Sequence, residues 1–224
     1  MLDVRLKKLQ RLEKEVVAYE SQEIQKGKIL FYGDSSFTRW GSKFGHRPME
    51  EELPGKNNSI SVVNHGFGTS TAEEQLYYYN RMIRPWEPRV LVNQTHGNDW
   101  DAGYTATEIL FLQSRLFEYA RKDMPGIRFY ICNVRPSIKN REGGSHLRAH
   151  ELEYNELLAD YCKKHEDCTL VNHWDSPLFF VDPNRIGEYD NIREDIFVED
   201  KIHYNQKGYD LYGQFFREIL KDEL

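Results

Sequence analysis

Ile29-Leu30-Phe31-Tyr32-Gly33-Asp34-Ser35-Ser36 is the stretch on which the fold turns. The run 28–32 is apolar after its first residue, too short for a helix, and halted by a glycine, as expected of a strand buried on both faces. Similar runs rich in Val, Ile, Phe and Tyr follow at 60–63, 89–92, 127–132 and 169–171. Between and after them lie helical patterns at 71–82, 105–122, 147–165 and 205–220. Strands that alternate with helices predict a parallel sheet covered on both faces, a three-layer α/β domain. Ahead of the first run, Leu2, Leu6, Leu9, Leu12, Val16 and Tyr19 recur every three or four residues, predicting an amphipathic helix over 2–25 that packs on the domain or on a second copy.

In open parallel sheets ligands bind beyond the carboxyl ends of the strands, so chemistry is sought just after each run. After the first, Gly33 suits a tight bend and Ser35 is a candidate nucleophile, although serine there also caps helices. After the second, residues 64–71 carry Gly66 and Gly68, whose loop can present backbone N–H groups to an oxyanion, or can be a turn with Ser70 as a helix cap. After the third, Asn98 offers a neutral amide donor, and Asn98-Asp99 also suits a turn. Asp200 and His203 stand three apart before the last helical pattern, so the carboxylate can accept the His203 Nδ1 proton and leave Nε2 free for a serine. The bland alternative is an exposed ion pair, which gives the other three segments nothing to converge on.

These blocks, in this order, resemble those of the SGNH hydrolases, also called the GDSL family of esterases and lipases. The likeness runs over roughly 28–220 and is most specific at 29–36 and 201–209. It implies a three-layer α/β/α sandwich with a flavodoxin-like, five-stranded parallel sheet at 28–224, behind the helical segment 1–27. It further implies Ser35 as nucleophile, His203 as base and Asp200 as its orienter. The oxyanion hole would be formed by Ser35, Gly68 or Thr69, and Asn98. Asp34, Asp99, Trp100 and Arg135 are expected to line the substrate cleft. Two positions depart from the family pattern: Thr69 stands where it has the oxyanion glycine, and His96 where the third block has its glycine.

The expected activity is hydrolysis of small carboxylic esters, O-acetyl groups on carbohydrate among them, without metal or cofactor. One rival is a flavodoxin-like binding domain whose Ser35, Ser36 and Thr38 hold a phosphate; the other is a catalytically impaired relative. No Gly-x-Ser-x-Gly elbow or Gly-x-Gly-x-x-Gly fingerprint occurs in the 224 residues, which counts against an α/β-hydrolase fold and a dinucleotide site.

A net charge of −6 and a pI near 5.8 disfavour nucleic acid and anionic membranes as partners. No run approaches the ~20 apolar residues of a membrane helix, and 1–14 is charged, so a cytoplasmic protein is expected. Under that expectation the sequons at Asn57 and Asn93 and the terminal Lys221-Asp222-Glu223-Leu224 carry no targeting meaning, the latter being the charged end of a helix over 209–220. Cys132, Cys162 and Cys168 lack metal-site spacing and are expected to be reduced, buried thiols. His146 and His150, four apart without the glutamate of a zinc motif, are expected on a solvated helix face. The four tryptophans Trp40, Trp86, Trp100 and Trp174 are expected in the core more than in a cleft.

Overall fold

The computed structural model describes residues 8–224. Five strands form one parallel sheet: β1 (Ile29–Gly33), β2 (Val62–Gly66), β3 (Val90–Asn93), β4 (Arg128–Cys132) and β5 (Cys168–Val171). Their order is β2-β1-β3-β4-β5, the flavodoxin-like arrangement, with every pair parallel. The predicted runs match these strands to within one residue except at β2, which is shifted along the chain from 60–63 to Val62–Gly66 and leaves Ile60 exposed.

Alternation along the strands divides the core in two. Leu30, Tyr32, Leu91, Phe129 and Ile131 face one layer, built from α1 (Glu13–Glu20), α2 (Ala72–Tyr77), α3 (Ala106–Asp123) and α4 (Gly144–Lys164). Ile29, Phe31, Val90, Val92, Cys132 and Val171 face the other, formed by α5 (Gln206–Ile219) with the short helices Ser35–Thr38 and Met49–Glu52. α5 presents Tyr209, Tyr212, Phe215 and Phe216 to the sheet, and Trp40 packs against Tyr209 and Tyr212 in the same cluster.

The expected N-terminal helix is shorter than its pattern. A 3-10 turn, Leu9–Leu12, leads into α1, while Leu2 and Leu6 lie outside the described residues. Leu12 and Val16 enter the core, Tyr19 donates to the Gly66 carbonyl, and Arg81 bridges Glu13 and Glu20. The described part of the segment thus contacts the sheet domain through residues 12–20. The pattern at 71–82 is split at Tyr78 into α2 and Tyr79–Met82.

The chain end differs from a charged helix end. After α5, Glu223 folds inward with its side chain 2% exposed, 2.7 Å from Arg89 and 2.5 Å from Arg128, and it accepts from Tyr130. Asn93 is fully buried in β3, so its sequon is inaccessible in the fold, whereas Asn57 is exposed. Cys132 and Cys162 are buried thiols, and Cys168 is only partly so. Among the described residues no helix is long and apolar enough to cross a membrane.

Candidate active site

β1 ends at Gly33 and the next turn brings Ser35 to the carboxyl edge of the sheet. Asp34, not Ser35, caps the one-turn helix Ser35–Thr38, accepting from the Ser36 N–H at 2.9 Å, so the serine hydroxyl is left for other work. Gly33 has no left-handed backbone. Its role is close approach, since a Cβ there would sit 2.8 Å from the Gln94 carbonyl and 2.9 Å from Phe37. Gly66 acts alike: a Cβ would meet the Thr38 nitrogen at 2.3 Å. Two residues without side chains thus let the serine turn nest against β1 and β2. From α5, Tyr209 donates to the Ser36 carbonyl at 3.0 Å and Tyr212 to Gln94 at 2.9 Å, tying that turn to the far end of the chain.

His203 reaches Ser35 from the loop before α5: its Nε2 is 2.7 Å from Ser35 Oγ and its Nδ1 2.7 Å from Asp200 Oδ2. The other Asp200 oxygen accepts the N–H groups of Ile202 and His203, each at 2.9 Å, which folds 200–203 into a tight turn with Lys201 at φ 61°. Partial burial would raise the Asp200 pKa, but these hydrogen bonds outweigh it and hold the carboxyl at about 2. Burial pushes His203 below its usual 6.5, and the cations Arg39 and Arg135 act in the same direction against the pull of Asp200. The imidazole is therefore neutral at neutral pH, and with Nδ1–H directed at Asp200 its Nε2 lone pair faces the serine.

The glycine loop stands over Ser35: a Cβ at Gly68 would lie 3.8 Å from Ser35 Cβ. Among the described residues nothing accepts a hydrogen bond from the Gly68 or Thr69 N–H. Thr69 has φ 65° and His96 φ 140°, conformations that favour glycine. Both departures from the family pattern thus keep a glycine-like backbone. Ser70 caps nothing; Thr71 caps α2 in a reciprocal box with Glu74. Asn98 lies on the short helix Gly97–Asp101, where its Nδ2 donates to the Ser70 carbonyl at 3.0 Å. One of its two amide protons is spent on orientation and the other is left over.

The cleft around Ser35 and His203 is lined by Asp34, Asn98, Trp100 and Arg135, with Lys139, Asn140 and Glu151 on its wall. Two expectations need correction. Asp99 is fully buried and cannot line the cleft; it accepts from the Ala72 and His96 N–H groups at 2.7 and 3.1 Å and from the Thr95 hydroxyl, and burial raises it to about 7. It fastens α2 to the Asn98 helix. Arg135, although it lines the cleft, is largely buried, stacked 4.1 Å over Tyr204 and donating to the Ile202 carbonyl at 2.5 Å. His150 does not lie on a solvated face: it is buried against Trp100 and bonded to His96 at 3.0 Å, with its other nitrogen on the Tyr104 carbonyl, while His146 is exposed. Trp40 and Trp86 are core residues as expected, whereas Trp100 and Trp174 are partly exposed. Among the described residues no group of three His, Cys, Asp or Glu side chains is placed to hold a metal.

The site also contains residues that sequence patterning did not single out. Glu151 is one, a buried carboxyl raised by burial to about 7, held by the Tyr189 hydroxyl at 2.9 Å and by Asn140. The Thr71-x-x-Glu74 box was readable from its spacing. The pairing of His150 with His96, 54 residues apart, leaves no local signal.

No protein-family model and no curated protein sequence matches the chain. Solved structures do. A protein from Streptococcus pneumonia provisionally named a platelet activating factor is 15% identical with a TM-score of 0.74, over 95% of this chain and 94% of that one. A GDSL-like lipase from Bacteroides thetaiotaomicron is 14% identical with a TM-score of 0.65, over 97% and 100%. A mutant of an acetyl-xylooligosaccharide esterase from Geobacillus Stearmophilus is 14% identical with a TM-score of 0.63, over 88% and 95%. The chain shares with them the α/β fold of the SGNH hydrolases.

Proposed function

We propose that this protein is a serine esterase of the SGNH type that hydrolyses small carboxylic esters. The observation that carries the reading is the chain of two 2.7 Å contacts from Asp200 through His203 to Ser35 at the floor of a cleft. A hydroxyl alone is a weak nucleophile, and an adjacent neutral imidazole held in one tautomer is what activates it.

Ser35 Oγ attacks the ester carbonyl carbon while His203 Nε2 takes the hydroxyl proton. The carbonyl π electrons move to oxygen, and the resulting oxyanion is met by the N–H groups of Ser35 and of Gly68 or Thr69 and by the unused amide proton of Asn98. The tetrahedral species collapses, the alkoxy group leaves with the proton from His203, and the acyl group remains on Ser35. A water then loses a proton to the same nitrogen, attacks the acyl carbon and releases the acid with Ser35 restored. Asp200 stays ionised throughout and stabilises the imidazolium that forms at each half-reaction.

The cleft wall fits a small acyl group on a polar alcohol. Trp100 supplies an apolar plane, while Asn140, Lys139 and Asp101 supply donors and acceptors beside it. O-acetyl groups on carbohydrate match that combination, and among the structural neighbours one is an acetyl-xylooligosaccharide esterase. An impaired relative is the second reading, prompted by Thr69 and His96; the glycine-like backbone at both favours the active one. The test is hydrolysis of 4-nitrophenyl acetate by the native chain and by Ser35→Ala. Turnover is expected in the first and not in the second; equal rates would refute the assignment.

A further inference from the structure

Thr69 sits on the glycine loop at φ 65°, exposed, in a backbone region that a β-branched residue adopts at a cost. Its side chain and its carbonyl are both seized by one residue of the N-terminal segment. Arg11 Nη1 donates to Thr69 Oγ1 at 2.8 Å and Arg11 Nη2 to the Thr69 carbonyl at 2.5 Å. The guanidinium is itself aimed by Glu74, whose side chain is fully buried: Nη2 lies 2.7 Å from Oε2 and Nε 2.6 Å from Oε1. Glu74 in turn belongs to the capping box that starts α2, and Leu12, next to Arg11, is anchored in the core. A planar fork with a fixed spacing of donors suits this task, since it grips two atoms of one residue and a carboxylate together.

A glycine would reach φ 65° unaided, whereas threonine needs holding there, and a hydroxyl gives the holder something to grip. We propose that Arg11 is a positioning residue of the active site: it clamps Thr69 in the left-handed conformation so that the loop's N–H groups stay aimed at the oxyanion position. The N-terminal segment is thereby a working part of the hydrolase rather than an appendage. This inference rests on the esterase reading for its kinetic consequence but not for the clamp itself.

The experiment compares Arg11→Ala, Arg11→Lys and the double variant Arg11→Ala with Thr69→Gly. In Arg11→Ala, kcat for 4-nitrophenyl acetate is expected to fall about ten- to a hundredfold, as misaligned catalytic groups do, with KM within about twofold. Arg11→Lys should fall between it and the native chain, because an ammonium lacks the fork. Adding Thr69→Gly to Arg11→Ala should restore most of kcat, since glycine holds the loop conformation without help. A merely structural Arg11 would lower the melting temperature equally with or without that second change and show no rescue, which would overturn the proposal. Amide hydrogen exchange over residues 66–71 reads the clamp without substrate and should quicken in Arg11→Ala; unchanged exchange overturns it even if the chain hydrolyses nothing. Absence of Ser35-dependent turnover in the native chain, with exchange quickened, refutes the esterase reading and leaves the clamp standing.

Discussion

Asp200 binds His203 twice, by the backbone N–H at 2.9 Å on one carboxylate oxygen and by the ring Nδ1 at 2.7 Å on the other. One side chain therefore sets both where the imidazole stands and which nitrogen carries its proton. Asp200→Asn offers an amide group to the ring where the carboxylate oxygen was and favours the wrong tautomer. Its kcat is expected to fall about 10⁴-fold, as the same change does in serine proteases. Ser35→Ala or His203→Ala should cost more, on the order of 10⁶-fold. Steady-state rates of the three variants check the ranking, and an Asp200→Asn enzyme as fast as the native one would contradict the role.

The pH dependence has a definite sign. In the proposed mechanism His203 acts as base only when neutral, and its pKa is displaced below 6.5, chiefly by burial. Activity is thus expected to be lost as pH falls through that lowered value and to level off above it. A kcat/KM profile should show an acid limb with its midpoint under 6.5 and a plateau above. A midpoint above 6.5 would mean that the pull of Asp200 outweighs burial.

Asn98 has one amide proton on the Ser70 carbonyl and one left over, which the proposed mechanism directs at the oxyanion. Removing a single oxyanion donor typically costs about 10²–10³ in kcat. Asn98→Ala should show that loss with little change in KM, whereas a change confined to KM would make Asn98 a ground-state contact only.

Asp99, adjacent in sequence, should behave differently. Its oxygens accept two backbone N–H groups and a hydroxyl with no exposure to solvent. Asp99→Asn replaces one acceptor oxygen by a donor and strands a buried N–H, at a cost of about 1–3 kcal/mol. Urea unfolding should record that loss as a lower midpoint at constant slope, and an unchanged midpoint would remove Asp99 from the scaffold.

The strands were legible because burial on both faces writes itself as short apolar runs, as in Ile29–Gly33 and Val90–Asn93. The meeting of Ser35 with His203, 168 positions away, was inferable through the rule that parallel sheets gather their loops at one edge and through the family resemblance of the two blocks, not through any local pattern. Single polar contacts across the fold write no such pattern. Arg11 on Thr69, His150 on His96 and Glu223 between two arginines join residues through hydrogen bonds that neither composition nor period encodes. Asp99 was misplaced for a related reason: a polar residue inside a motif at a strand end reads as facing the ligand, yet here its bonds close the scaffold.

The most direct test of the central claim is covalent. A fluorophosphonate reacts with a serine only where a base activates it and donors stabilise the charged adduct. Mass spectrometry of the labelled native chain should show one adduct, on the peptide containing Ser35, and none in His203→Ala. No adduct, or an adduct on another residue, would contradict the account.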